Sequence, residues 1–154
     1  MQIETLAVAL LLLIVFRSQV SAQERTVKHS ELPAAVQRAA DEQSRGATVH
    51  GYSTEKEEGR TVYEVAMTLH GRGRDVTMDS AGTVLEIETE VPFDSLPEAV
   101  RTGLQHGAGS GQITKVESLT KRGALVAYEA HVRNGTKRSE VQVGPDGKPL
   151  AHPE

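Results

Sequence analysis

The strongest constraint on the fold is a set of short patterns that return about 65 residues later in the chain. The order of the patterns and the spacing between them are both kept, which is typical of an internal repeat. The segment Leu32 to Val36 returns as Leu96 to Val100, shifted by 64 residues. The segment Tyr63 to Val65 returns as Tyr128 to Ala130, and Asp75 to Met78 returns as Glu140 to Val143, both shifted by 65 residues.

Each predicted unit begins with a helix and continues into antiparallel strands. In the first unit Ser30 is the expected helix cap, Pro33 lies in the first turn, and Leu32 and Val36 recur at helical spacing. The apolar period then changes to two, which favours strands with one buried face. The sequence therefore predicts an α+β fold, a tandem repeat of a helix packed on three to four antiparallel β-strands, forming one sheet with an open face.

The two units, residues 31–91 and 92–154, are expected to differ. Gly103, Gly107, Gly109 and Gly111 predict a shorter or irregular second helix, because glycine weakens helices. The counterpart of the strand from Leu85 to Val91 is only Lys148 to Glu154, with two prolines, so a short, edge or missing last strand is predicted.

The N-terminus is predicted to be a signal peptide of residues 1–22, cleaved after Ala22 and followed by a linker, residues 23–30. The apolar run from Leu6 to Phe16 is too short to span a bilayer, which needs about 20 residues. Val20 and Ala22 are the small residues that signal peptidase requires. A periplasmic or secreted location follows, without membrane attachment after cleavage; an uncleaved anchor is the alternative.

Composition excludes several classes of function. The chain has no cysteine, so disulfides, thiolate metal sites and cysteine nucleophiles are excluded. Its net charge of −4 gives no support to a nucleic-acid partner. We find no Ser-His-Asp order, phosphate-binding glycine loop or HExxH segment, and so predict no catalytic residues, no cofactor and no enzyme activity.

The six histidines do not form a metal-binding motif in the sequence. None of them shows the i, i+4 spacing of a helical site, so no metal ligands are predicted. His70 and His131 fall on the same predicted sheet face, however. An envelope metal-binding or metal-sensing protein using scattered His and Glu is therefore the alternative function.

The Leu-Pro-x-Ala-Val helix, the Tyr-Glu-Val strand and the segment Asp75 to Glu86 together resemble the PepSY-like, β-lactamase-inhibitor-protein-like family of bacterial exported proteins. This resemblance implies a tandem helix-plus-sheet fold, binding or peptidase-regulating roles, and no enzyme activity. The family's inhibitory relative depends on disulfides and an aromatic-rich sheet. This chain has no Cys or Trp, and no inhibitory contact residue carries over.

The resulting hypothesis is a non-enzymatic binding or regulatory module, including a peptidase inhibitor or modulator. Its open sheet face would recognise a protein or peptide of the envelope whose identity the sequence does not give. From the alternation of the strands we predict the outward-facing contact residues Glu64, Thr68, His70, Thr77, Glu86, Glu88, Glu129, His131, Arg133 and Gln142.

Overall fold

The computed structural model describes residues 24–57 and 59–154; the predicted signal peptide and its cleavage site lie outside them. Two helices are present, α1 (Ala34–Gln43) and α2 (Glu98–Ala108). In the described residues, no helix is long and apolar enough to cross a membrane. The strands are β1 (Arg25–Val27), β2 (Thr48–Glu57), β3 (Arg60–Leu69), β4 (Arg72–Met78), β5 (Val84–Glu90), β6 (Gln112–Lys121), β7 (Ala124–Asn134) and β8 (Lys137–Val143).

The strands form one eight-stranded sheet in which every strand pairs antiparallel with its neighbour in the sequence. In the middle, β5 pairs with β6 from Glu86 opposite Lys121 to Glu90 opposite Glu117. Hydrogen bonding is therefore continuous across the boundary predicted between residues 91 and 92. The predicted fold class is wrong: the protein is one mainly β sheet with two short helices of 10 and 11 residues, not a tandem repeat of helix-plus-strand units.

Both helices pack on the same face of the sheet. Val36 and Ala40 of α1 lie in a buried cluster with Val65 and Val76 of β3 and β4. The corresponding cluster under α2 contains Val100 and Leu104, with residues of β6, β7 and β8. Pairing of Val76 with Ile87, and of Ile87 with Thr120, places the inward residues of both halves on one face. The opposite face carries no helix in the part of the chain that the structure describes.

The helix ends differ from the sequence prediction. Each helix follows a one-turn 3₁₀ helix, and Pro33 and Pro97 take the cap positions without a side-chain hydrogen bond. Ser30, the expected cap of the first helix, therefore lies within a 3₁₀ turn. The isolated cap pattern could not show that a 3₁₀ turn would precede each proline.

The glycines of α2 allow close packing and do not shorten the helix. A Cβ atom on Gly103 would lie 2.0 Å from the carbonyl oxygen of Gly147, and one on Gly107 would lie 2.3 Å from a methyl group of Val141. Glycine at these positions therefore permits a close packing that offsets its low helix propensity. The helix α2 is one residue longer than α1.

The N-terminal end of the described chain differs from expectation, and the C-terminal end agrees with it. Residues 25–27, which were predicted to belong to a linker, form β1 and pair with β2 from Arg25 opposite Thr54 to Val27 opposite Tyr52. At the other end, the segment after β8 contributes one isolated bridge between Val143 and Pro149. This bridge agrees with the prediction of a short or missing last strand.

Candidate binding face

Carboxylates cover the sheet face opposite the helices, which we call the acidic face. The strand register aligns Glu64 with Thr77 and Thr77 with Glu86, and it places Glu117 directly opposite Glu129. Side chains two residues apart on a strand share a face. The carboxylates of the acidic face are Glu55, Glu57, Glu64, Asp75, Glu86, Glu88, Glu90, Glu117, Glu129 and Glu140.

The register brings almost all of the predicted contact residues to the acidic face. The exception is His70, which lies in the tight turn between β3 and β4 with a positive φ of 53° and an exposed side chain. Alternation alone could not show that β3 ends at Leu69. The predicted residues that share the face are Glu64, Thr68, Thr77, Glu86, Glu88, Glu129, His131, Arg133 and Gln142.

Two carboxyl groups in the middle of this face have strongly raised pKa values. The pKa of Glu88 rises to about 8, chiefly because the group is buried and also because Glu117 and Glu86 carry like charge. Burial, followed by the like charge of Asp75, raises the pKa of Glu64 to about 7. Near neutral pH these groups hold protons that an exposed glutamate would have lost.

The lysines in the central part of this face are already engaged. Lys115 Nζ lies 2.9 Å from Glu117 Oε2, and Lys121 Nζ lies 3.3 Å from Glu86 Oε2. Lys121 also lies 3.5 Å from the carboxylate of Glu154. The face therefore keeps an excess of carboxylates over cations, and its field favours a cationic ligand.

His131 and two glutamates form a compact polar cluster on the acidic face. His131 Nε2 lies 2.7 Å from Glu117 Oε2 and 3.6 Å from Glu129 Oε1. The side chain of Glu117 is only 2% exposed and that of Glu129 is 11% exposed. A second cluster, Asp75 with Glu88 and Glu117, shares the central glutamate. Each cluster places ligand atoms within 4.8 Å of one another, close enough to hold a metal ion.

Sequence reasoning missed Glu117, the residue that joins the two clusters. The register of β6 shifts between Ile113 and Lys115 and again between Leu119 and Thr120. These irregularities break the period of two, so the strand was only weakly indicated and its outward residues were not assigned. Asp75 was also missed, although it lies two residues before Thr77, a predicted contact residue, and therefore on the same face of β4.

The comparisons with known proteins identify related folds. No family model and no curated protein matches the chain, so PepSY-like membership stays a prediction. A BLIP-like protein from Bacteroides fragilis is 22% identical, with 75% of this chain and 81% of that protein covered and a TM-score of 0.55. A DUF2874 family protein from Bacteroides ovatus is 17% identical, with 77% and 84% covered and a TM-score of 0.60.

A third solved structure, from Bacteroides eggerthii, belongs to a protein provisionally described as periplasmic. It is 16% identical, with 77% of this chain and 86% of that protein covered and a TM-score of 0.62. At such low identity these similarities show a shared fold. This chain therefore has the fold of BLIP-like and DUF2874 family proteins.

Proposed function

We propose that the protein is a non-enzymatic binding module of the bacterial envelope whose acidic face recognises a basic segment of a partner protein. The observation that carries this proposal is the row of carboxylates across the helix-free face of the sheet. The signal peptide predicted for residues 1–22 supports an envelope location.

Charge complementarity favours a lysine-rich or arginine-rich segment as the occupant. Glu88 is half-buried beside the like charges of Glu117 and Glu86, so a cation placed there relieves repulsion and favours the ionised form of Glu88. Glu64 is in the same position beside Asp75. Facing potentials of opposite sign also accelerate association and exclude acidic partners. An envelope peptidase with a basic docking surface fits this description, and binding would then modulate its activity.

Synthetic peptides test the proposed recognition. We expect a fluorescently labelled peptide with alternating lysines to bind, and a matched peptide with glutamates in the same positions not to bind, as measured by anisotropy. Affinity should fall about tenfold or more between 50 mM and 500 mM salt, because the attraction is screened. Equal binding of both peptides would contradict the proposal.

A pair of charge-reversal variants locates the contact. We expect the double variant Glu86→Lys with Glu88→Lys to weaken binding of the basic peptide about tenfold or more. The control is Asp41→Lys with Glu42→Lys, which makes the same charge change on exposed positions of α1, at the opposite face. If both variants weaken binding equally, net charge and not the acidic face determines the affinity.

The structure reduces the candidate histidines for the alternative function, metal binding, to one. Of the six histidines, His131 is the one that the structure places in a cluster of metal-ligand type within the described residues. His70, the other candidate, lies in the β3–β4 turn. The scattered histidines therefore do not support metal sensing, whereas the cluster of His131 with Glu117 and Glu129 is a candidate metal site.

A further inference from the structure

The cluster around His131 brings together three ligand groups from two neighbouring strands in the sheet. Glu117 lies on β6, and Glu129 and His131 lie on β7. The two glutamates are directly opposite each other and both are buried. Like charges in directly opposed positions destabilise a sheet, and burial increases that penalty. A bound cation would offset this repulsion.

The distances suit a small divalent ion. Ligand atoms about 2.0 to 2.2 Å from a tetrahedral zinc ion lie about 3.3 Å from one another. His131 Nε2 is 2.7 Å from Glu117 Oε2 and 3.6 Å from Glu129 Oε1, so the two observed distances bracket that value. Small side-chain adjustments would therefore complete the geometry without a change of the strands.

A hydrogen bond from outside the cluster orients one of its ligands, as supporting residues do in metal sites. Gln142 Nε2 donates a 2.7 Å hydrogen bond to Glu129 Oε2, which leaves Oε1 of the same carboxylate directed at His131. The other imidazole nitrogen, His131 Nδ1, lies 3.7 Å from Glu140 Oε1. This distance is too long for a hydrogen bond, so Glu140 places negative charge behind the ring without fixing its orientation.

From this geometry we propose that Glu117, Glu129 and His131 bind one divalent transition-metal ion of the zinc class. Imidazole nitrogen is a preferred ligand of zinc, copper and nickel, whereas calcium and magnesium prefer oxygen ligands alone. Three protein ligands leave a fourth position open to solvent or to a partner group. The site lies within the acidic face, but metal binding can be measured without a peptide, so it is tested separately from peptide recognition.

Lys115 is the internal competitor for this site. Its ammonium group lies 2.9 Å from Glu117 Oε2, the same oxygen that contacts His131. The metal ion must displace Lys115 from this oxygen. Removal of the ammonium group, in Lys115→Met, is therefore expected to tighten metal binding about threefold or more.

Calorimetry on protein without a purification tag tests the proposal with zinc, calcium and magnesium salts as the probes. We expect one equivalent of zinc to bind at micromolar concentration, and calcium and magnesium to bind at least tenfold more weakly. His131→Gln should weaken zinc binding tenfold or more, whereas the same substitution at the exposed His70 should not change it. Equal zinc affinity in these two variants, or calcium binding as tight as zinc, would overturn the site.

A spectroscopic measurement keeps the test independent of folding defects. Cobalt(II) in a site with nitrogen and oxygen ligands gives visible absorption bands that depend on its coordination. We expect these bands in the wild-type protein and their loss in Glu129→Gln, with circular dichroism showing that the variant is folded. Unchanged cobalt bands in a folded Glu129→Gln variant would exclude Glu129 as a ligand.

Discussion

Burial and mutual repulsion determine the charge state of the central glutamates of the acidic face. Burial is the first cause of the raised pKa of Glu88, and the like charges of Glu117 and Glu86 add to it. The ammonium group of Lys121 contacts the neighbouring Glu86. Glu88 therefore holds its proton more tightly in the folded protein than in the unfolded chain.

This difference makes the stability of the protein depend on pH. The pKa of Glu88 is about 8 in the folded protein, against an ordinary value of 4.5. Between these two values the folded state binds more protons at Glu88 than the unfolded chain does. The stabilising contribution of Glu88 is therefore complete below pH 4.5 and is lost as the pH rises to about 8. Glu64, with a pKa of about 7, acts in the same direction.

We expect Glu88→Gln to stabilise the protein at pH 8.5, because glutamine resembles the protonated acid and cannot ionise. The melting temperature at pH 8.5 should rise by about 4 °C, equivalent to about 1 kcal/mol for a domain of this size. At pH 5 the variant and the wild type should melt at similar temperatures. Scanning calorimetry at both pH values measures this.

The matched control for this prediction is Asp94→Asn, which removes the same charge from an exposed position outside the acidic face. Its melting temperature should follow the pH in the same way as the wild type. A gain at pH 8.5 in both variants would show that net charge, and not the burial of Glu88, causes the effect.

The close packing of α2 depends on Gly103. Gly103 faces the turn after β8, where the carbonyl oxygen of Gly147 occupies the space that a methyl group would need. The same turn is held by a hydrogen bond from Gly147 N to Gly144 O. Backbone atoms cannot rotate aside as a flexible side chain can, so a larger residue at position 103 would clash with the turn.

We expect Gly103→Ala to destabilise the protein by about 1 to 3 kcal/mol, the usual penalty for overpacking, despite the better helix propensity of alanine. Gln105→Ala on the exposed side of the same helix is the control, and it should change stability by less than about 0.5 kcal/mol. Urea denaturation measures both. Equal stability of Gly103→Ala and the wild type would mean that α2 can move away from the turn.

Local patterns predicted the elements better than their arrangement. The alternation around Val65 correctly assigned the inward residues of β3, and the spacing of Val36 placed it in the core. The glycines of α2 were misinterpreted because propensity describes an isolated helix, whereas the contact with Gly147 is tertiary. The outward residues of β6 were missed because bulges interrupt its period of two.

The pairing of β5 with β6 joins the two halves of the sheet. The sequence predicted a single sheet but did not identify the strands that join its halves. The recurring patterns indicated two similar units, but strand pairing between distant segments leaves no periodic signal in either strand. The candidate site has the same origin: Glu88 on β5 approaches Glu117 on β6 only because these strands pair. The composition of the acidic face was therefore predictable in part, and its clusters were not.

The continuous sheet predicts that both halves of the molecule unfold in one cooperative transition. Two tyrosines report separately, because Tyr63 packs against the cluster under α1 and Tyr128 against the cluster under α2. Val36→Ala and Val100→Ala each remove a fully buried side chain from one cluster, at an expected loss of about 2 kcal/mol. In each variant, NMR in urea should show that the ring signals of both tyrosines report the same unfolding midpoint, at a lower urea concentration than in the wild type. Midpoints that separate, with only the tyrosine of the altered cluster affected, would show that the β5–β6 pairing does not couple the two halves.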